Sequence, residues 1–140
     1  MQATLAADSP TLAHLDLQLT EALAARQWYM TLFTDAPWPL LVTNQWGHID
    51  EANQAAVAFF NIHPLWLVRK PLVVFVPLRE RSGFRMYLQY LGSGQCLPEW
   101  KGHLQPRGCP PLPVTLAARV VPLPHAFRPS LVWRVRETPC

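Results

Sequence analysis

Apolar residues return along this chain with two different periods, and the change between them marks its elements. Leu12, Leu15, Leu19 and Leu23 recur at helical spacing, followed by Met30 and Phe33. They predict an amphipathic helix from about residue 10 to 33. Ser9 is a good cap and Pro10 is tolerated in a first turn. Asp16 and Glu21 suit the early part of the helix through its dipole. Leu17 falls off the main stripe and widens the apolar face, while Arg26 and Gln27 interrupt it, so no long coiled coil is expected. A helix this apolar needs cover, from its own domain or from the same helix of a second chain.

Asp35-Ala36-Pro37-Trp38-Pro39 breaks that helix. The pattern then becomes strand-like. Leu40 to Thr43 reads as an apolar strand, Asn44 to Gly47 as a tight turn, and His48 to Ala52 as the return strand of a hairpin. Asn53 is placed to cap a helix through Ala56, Val57 and Phe60, which Asn61 ends. Pro64 restarts a short helical stretch with Leu65, Trp66 and Val68, and Pro71 to Val76 is an apolar connector. Pro77 opens a further helix whose face is Phe84, Tyr87, Leu88 and Leu91, and Gly92-Ser93-Gly94 stops it.

Three strands are expected after that stop. They are Glu99 to Gln105, Pro113 to Val121 and Leu131 to Arg136. A turn at residues 106–111 separates the first two, and Pro122, Pro124 and Pro129 stiffen an irregular loop before the last. Helix, two strands, helices and three strands make an α+β domain. Its sheet is antiparallel and five-stranded, with helices on one face and an extra N-terminal helix. Residues 1–33 form the helical segment and 34–138 the domain. Such a sheet with a helical wall is a cup.

Composition changes this picture in two ways. Half of the 140 residues are hydrophobic and only 15% are charged, which points to a covered surface or to an apolar core under a proline-rich exterior. The net charge of +3 is also unevenly spread: residues 1–68 carry −5 and residues 69–140 carry +8. The cations of the second half are dispersed, never in a run, so an acidic partner is the expected counterpart and direct nucleic-acid contact is not. No apolar run approaches the ~20 residues of a membrane helix, and no basic segment leads an apolar block at the N-terminus. A cytoplasmic location without membrane contact is expected.

Candidate chemistry is sparse. There is no nucleophile motif and no phosphate-cradling glycine loop. Asp50 and Glu51 are neighbours on a strand, so their side chains face opposite ways. His48, His63, His103 and His125 do not fall at ligand spacing with Cys or acids, so no metal is expected, and Cys96, Cys109 and Cys140 read as reduced thiols. The chain is not expected to be an enzyme.

Taken in order, these segments resemble a PAS domain, the sensory module of bacterial kinases and transcription regulators. Val42-Thr43-Asn44-Gln45-Trp46-Gly47-His48-Ile49 is similar to the family's first hairpin, and Asn53-Gln54-Ala55-Ala56 to its Asn-x-Ala-Ala helix start. Phe75-Val76-Pro77 through Phe84-Arg85 to Gly92-Ser93-Gly94 resembles its connector and long helix. Glu99 to Leu104, Pro113 to Leu116 and Trp133 to Thr138 resemble its late strands and exit. Asn44 stands where an Asp is common, and Gly108-Cys109-Pro110-Pro111 is stiffer than the usual turn.

The resemblance implies a sensory or signalling module of a histidine kinase or transcription regulator, with an effector domain in the same or a partner chain. It implies a homodimer formed through the N-terminal helix, by Leu12, Leu15, Leu19, Leu23 and Met30. Small-ligand sensing would use the cup, where Leu41, Val57, Phe60, Trp66, Phe75, Phe84, Tyr87, Leu88, Trp100, Leu116 and Trp133 should point between sheet and helices. These residues either frame a pocket or simply fill it. A haem-binding His on the long helix is lacking, which leaves His63, itself a helix-start residue. Residues 53–70 contain no Cys for a covalent flavin adduct. No cofactor is therefore expected. The remaining readings are a ligand-free interaction module, or a carrier or enzyme using the same cup.

Overall fold

The computed structural model describes residues 2–121 and 129–138, with side chains from residue 11 onward. The chain divides into two units, Met1–Phe33 and Thr34–Cys140. Pro122, Pro124 and Cys140 lie outside the described residues.

Helix α1 runs from Gln2 to Asp35, eight residues ahead of the expected start. The Gln-Ala-Thr-Leu-Ala-Ala run before Ser9-Pro10 is rich in strong helix formers, and it carries the helix across the proline. At about 100° per residue, Leu12, Leu15, Leu19, Leu23 and Met30 fall within one arc, and Leu17, Trp28 and Leu32 fall on the opposite side. All eight are exposed. The helix thus carries two apolar stripes where the sequence pattern suggested one broad face. None of its described side chains is buried.

The second unit holds β1 (Leu40–Thr43), β2 (Ile49–Ala52), α2 (Gln54–Phe60), α3 (Pro64–Leu67), α4 (Arg81–Gly92), β3 (Trp100–Leu104), β4 (Leu112–Val121) and β5 (Ser130–Glu137). Two short 3-10 turns, Leu72–Phe75 and Leu78–Glu80, lie between α3 and α4. The five strands are antiparallel in the order β2-β1-β5-β4-β3. Helices and turns cover the face formed by Leu41, Leu116, Leu131, Trp133 and Val135. The α+β reading of the sequence therefore holds.

Local chemistry explains the corners. Asn44 Oδ1 accepts from the backbone N–H groups of Trp46 and His48, both at 3.0 Å, which closes the hairpin turn. Gly47 completes it at φ +84°, and a Cβ there would stand 3.0 Å from Leu88 Cδ2. Asn61 ends α2 in the left-handed conformation and donates its N–H to Val57 O. The His63 ring accepts from Leu65 N–H at the start of α3.

Asn53 does more than cap a helix. Its Oδ1 accepts from Ala56 N–H and from Leu40 N–H, both at 2.9 Å. Its Nδ2 donates to Trp38 O at 3.0 Å. One buried amide thus ties the entry to β1, the end of β2 and the start of α2.

The segment from Arg69 to Glu80 covers both edges of the sheet. At β2, Ile49 N–H donates to Lys70 O (2.9 Å), Arg69 N–H to Ile49 O (2.6 Å) and Leu72 N–H to Gly47 O (2.8 Å). At β3, His103 N–H donates to Glu80 Oε1 (2.9 Å), and Gln105 N–H to Phe75 O (2.6 Å). Glu80 Oε2 also meets His103 Nδ1 at 2.8 Å. Arg81 holds the connector from behind, donating to Val76 O and Val74 O. Bare edges would invite a further strand, and these bonds occupy them.

The Asn53 cluster generates a direct test. Asn53→Ala strands two backbone donors and one carbonyl, and should cost about 2–4 kcal/mol in urea unfolding. Asn53→Asp keeps both acceptor bonds and loses only the bond to Trp38 O, so it should cost clearly less. Equal losses for the two variants would show that the amide donor, not the acceptor pair, holds the corner.

Candidate functional site

The cup between sheet and helices is the candidate site, and its own side chains occupy it. Leu41 from β1, Leu116 from β4 and Trp133 from β5 form the floor, all fully buried. Phe60 of α2, Phe75 of the first 3-10 turn, and Phe84 and Leu88 of α4 close over them, also buried. Val57, Tyr87 and Trp100 are half-buried around this centre. Two groups of rings are in contact. Phe84 lies 5.3 Å from Trp100 and 5.7 Å from Trp133 between centroids, with Tyr87 6.4 Å from Trp133. Phe60 lies 4.5 Å from Phe75 and 5.1 Å from Phe59. These are the offset and edge-on distances of packed aromatic pairs.

Polar groups in this centre are committed to neighbours. Trp133 Nε1 donates to Thr43 Oγ1 at 2.8 Å, and that hydroxyl donates on to Asn44 O at 2.9 Å. The Tyr87 hydroxyl donates to Pro98 O at 2.6 Å. Burial, and secondarily the Glu99 carboxylate, hold the Tyr87 phenol above its ordinary ionisation range. Tyr87 therefore keeps its proton and serves as a strut to Pro98, two residues before β3.

Trp66 is the correction among the expected cup residues. Its side chain is 70% exposed, because the one-turn helix α3 turns only Leu67 to the core. Four residues cannot bury consecutive side chains on one face. His63 is exposed and spends its ring nitrogen on the α3 cap. Among the described residues, no three His, Cys, Asp or Glu side chains come together as metal ligands, and no helix is long and apolar enough to cross a membrane. Cys96 and Cys109 are exposed thiols.

Open grooves lie on the outside among the described residues. One, of about 440 Å³, is lined by Gln45, Trp46, Arg85, Leu88, Gln89 and Gly92. A second, of about 480 Å³, is lined by Ile62, Trp66, Lys70 and Arg107. A third, of about 200 Å³, is lined by Trp38, Arg134, Val135 and Arg136. Each sets an exposed indole beside at least one guanidinium.

The structure places Phe60, Phe84, Leu88, Leu116 and Trp133 together in the core. The sequence pattern did not foresee Thr43 as the partner of Trp133. Counting by two from Leu41 would have put Thr43 on the inner face. Glu80 and His103, 23 residues apart, carry no such signal. Gly102 shows how tightly β3 is overlaid: a Cβ there would collide with the Trp100 ring and stand 2.6 Å from Glu80 Oε1.

No sequence-family model matches this chain, and neither does any curated protein. Solved structures do. The PAS domain of an HTR-like protein from Haloarcula marismortui superposes with a TM-score of 0.70 at 15% identity, over 88% of this chain and 99% of that one. This chain has the PAS fold. A domain of a sensory box sensor histidine kinase/response regulator from Geobacter sulfurreducens matches at TM-score 0.67 and 20% identity, over 81% of this chain and 94% of that one. The PAS domain of a LuxR-family transcriptional regulator from Burkholderia thailandensis, solved in complex with ethanol, matches at 0.59 and 20%, over 78% and 96%. In this example of the PAS fold, the sheet–helix cup is filled with aromatic side chains.

The central indole should therefore behave as core. Trp133→Phe removes the bond to Thr43 and leaves a void, so urea unfolding should show a loss of about 2–3 kcal/mol. A loss under about 0.5 kcal/mol would mean that the cup tolerates empty space, as a ligand chamber would.

Proposed function

We propose that this chain is a non-catalytic signalling module of a bacterial histidine kinase or transcription regulator. It works as a homodimer in the cytoplasm, and it acts on a kinase or DNA-binding effector in the same or a partner chain. The carrying observation is a PAS fold, shared with domains of sensor kinases and of a regulator, whose cup is filled by Trp133, Phe84 and Phe60. A filled cup favours the interaction reading over small-ligand sensing, because a ligand would have to displace packed aromatic rings. The committed hydroxyls of Thr43 and Tyr87 support a non-catalytic role for the same centre. Leu12, Leu15, Leu19, Leu23 and Met30 on α1 supply the proposed dimer surface, since exposed apolar stripes on a helix call for a partner. The mechanism is a shift of population: partner binding favours one arrangement of the dimer, and the arrangement is read by the effector.

Light scattering and sedimentation test the dimer. The purified chain should show twice its 15.9 kDa mass. Leu19→Lys should weaken the dimer by about tenfold or more, the price of burying a charge. A strict monomer at high concentration removes the dimer from the proposal, and an unchanged dimer in the variant removes α1 from the interface.

Native mass spectrometry and an absorption spectrum test the filled cup. Protein expressed with haem and flavin available should show no retained molecule and no band beyond the aromatic region. A retained flavin, haem or colourless metabolite would replace the interaction reading with ligand sensing.

A further inference from the structure

We propose that the groove of Ile62, Trp66, Lys70 and Arg107 docks an acidic peptide segment of a partner protein, one that carries an apolar anchor side chain. The inference goes beyond the dimer and the filled cup, and it stands if either fails.

Three separate parts of the fold build this groove. Ile62 sits at the corner between α2 and α3, Trp66 on α3, Lys70 just after it, and Arg107 in the turn between β3 and β4. Their backbones are pinned. Arg107 N–H donates to Phe60 O at 3.1 Å, and its carbonyl accepts from Asn61 Nδ2 at 3.2 Å. Trp66 N–H donates to His63 O at 2.9 Å. Lys70 N–H donates to Leu67 O at 3.2 Å, and its carbonyl accepts from Ile49 N–H at 2.9 Å. A docking chain would therefore meet a surface already in place, which lowers the ordering cost of binding.

The surface chemistry names the occupant. Trp66 is 70% exposed and its neighbour Leu65 82%, an unusual amount of apolar surface to leave in water side by side. Lys70 and Arg107 are exposed and have no ion-pair partner among the described residues. An exposed indole flanked by a guanidinium has the composition of a binding hot spot. The two cations call for carboxylates, which Arg can take as paired charge-assisted hydrogen bonds. The exposed indole calls for an apolar side chain between those carboxylates. An isolated small anion would gain little from two solvated cations. Nucleic acid would need more phosphate contacts than two cations supply. A one-turn helix is too short to lie in a membrane interface with a broad apolar face.

The test uses the full chain and a fluorescein-labelled peptide, a Leu-Phe pair flanked on both sides by glutamates. Fluorescence anisotropy should report binding that weakens as salt rises. The same peptide with glutamines should bind at least about tenfold more weakly, as should Lys70→Glu/Arg107→Glu and Trp66→Ala with the acidic peptide. Urea midpoints of these variants should match the parent, since all three side chains lie on the surface. Equal binding of the glutamine peptide, unchanged binding by the variants, or no binding of the acidic peptide would overturn the proposal. So would binding that depends on these residues but is seen only with phosphatidylglycerol vesicles or single-stranded DNA. Self-association abolished by the charge reversals would overturn it too, in favour of a second copy as occupant.

Discussion

A sheet with one covered face must have that face filled, and here the largest of the fully buried side chains is a single indole. Trp133 sits on β5, the middle strand of five, so it stands at the centre of the cup. Its ring meets Phe84 and Tyr87 of α4, and its Nε1 is satisfied by Thr43 of β1. An indole is large enough to span from sheet to helix, and it is tolerated in a core only when its N–H finds an acceptor. Because β5 pairs with β1 on one side and β4 on the other, displacing this ring would disturb both ladders and the helix above them. The rest of the centre is arranged around that plug.

The second constraint is the sheet's perimeter. An antiparallel sheet that does not close into a barrel has two edges to hide. This fold hides both with one stretch of chain, which leaves β2 through Arg69, Lys70 and Leu72 and reaches β3 through Phe75 and Glu80. The route fits the composition of the stretch. Apolar Leu72, Phe75 and Val76 face the core while the backbones of Leu72 and Phe75 serve the edges, and prolines at 71 and 77 hold the turns extended where no donor is needed.

Much of this was legible in the sequence, for reasons that differ by element. The hairpin could be read because Asn44 and Gly47 are residues a tight turn requires, flanked by apolar strands. The start of α2 could be read because Asn53 has the chemistry of a cap, although its bonds to Leu40 and Trp38 are tertiary and could not. The face of α4 was visible as a period of 3.6 through Phe84, Leu88 and Leu91. Trp66 was misplaced because hydrophobicity is only a one-way guide: apolar residues fill the core, but an apolar residue need not be in it. Pro10 misled in the opposite direction, since proline marks a helix start in general while the segment ahead of it is helix-forming in its own right. The Glu80–His103 clasp had no local pattern to betray it.

Composition takes on a physical meaning once the structure is laid beside it. Half the residues are hydrophobic and 15% are charged, and the apolar surplus is not hidden. Trp133 is buried and Trp100 half-buried, whereas Trp38, Trp46 and Trp66 each stand in an open groove and Trp28 stands exposed on α1. In each groove a guanidinium stands with the indole: Arg134 and Arg136 with Trp38, Arg85 with Trp46, Arg107 with Trp66. Under the interaction reading proposed above, such grooves would suit a partner that supplies both an apolar contact and a negative charge. On that reading, a domain that fills its cavity puts its recognition chemistry on its surface.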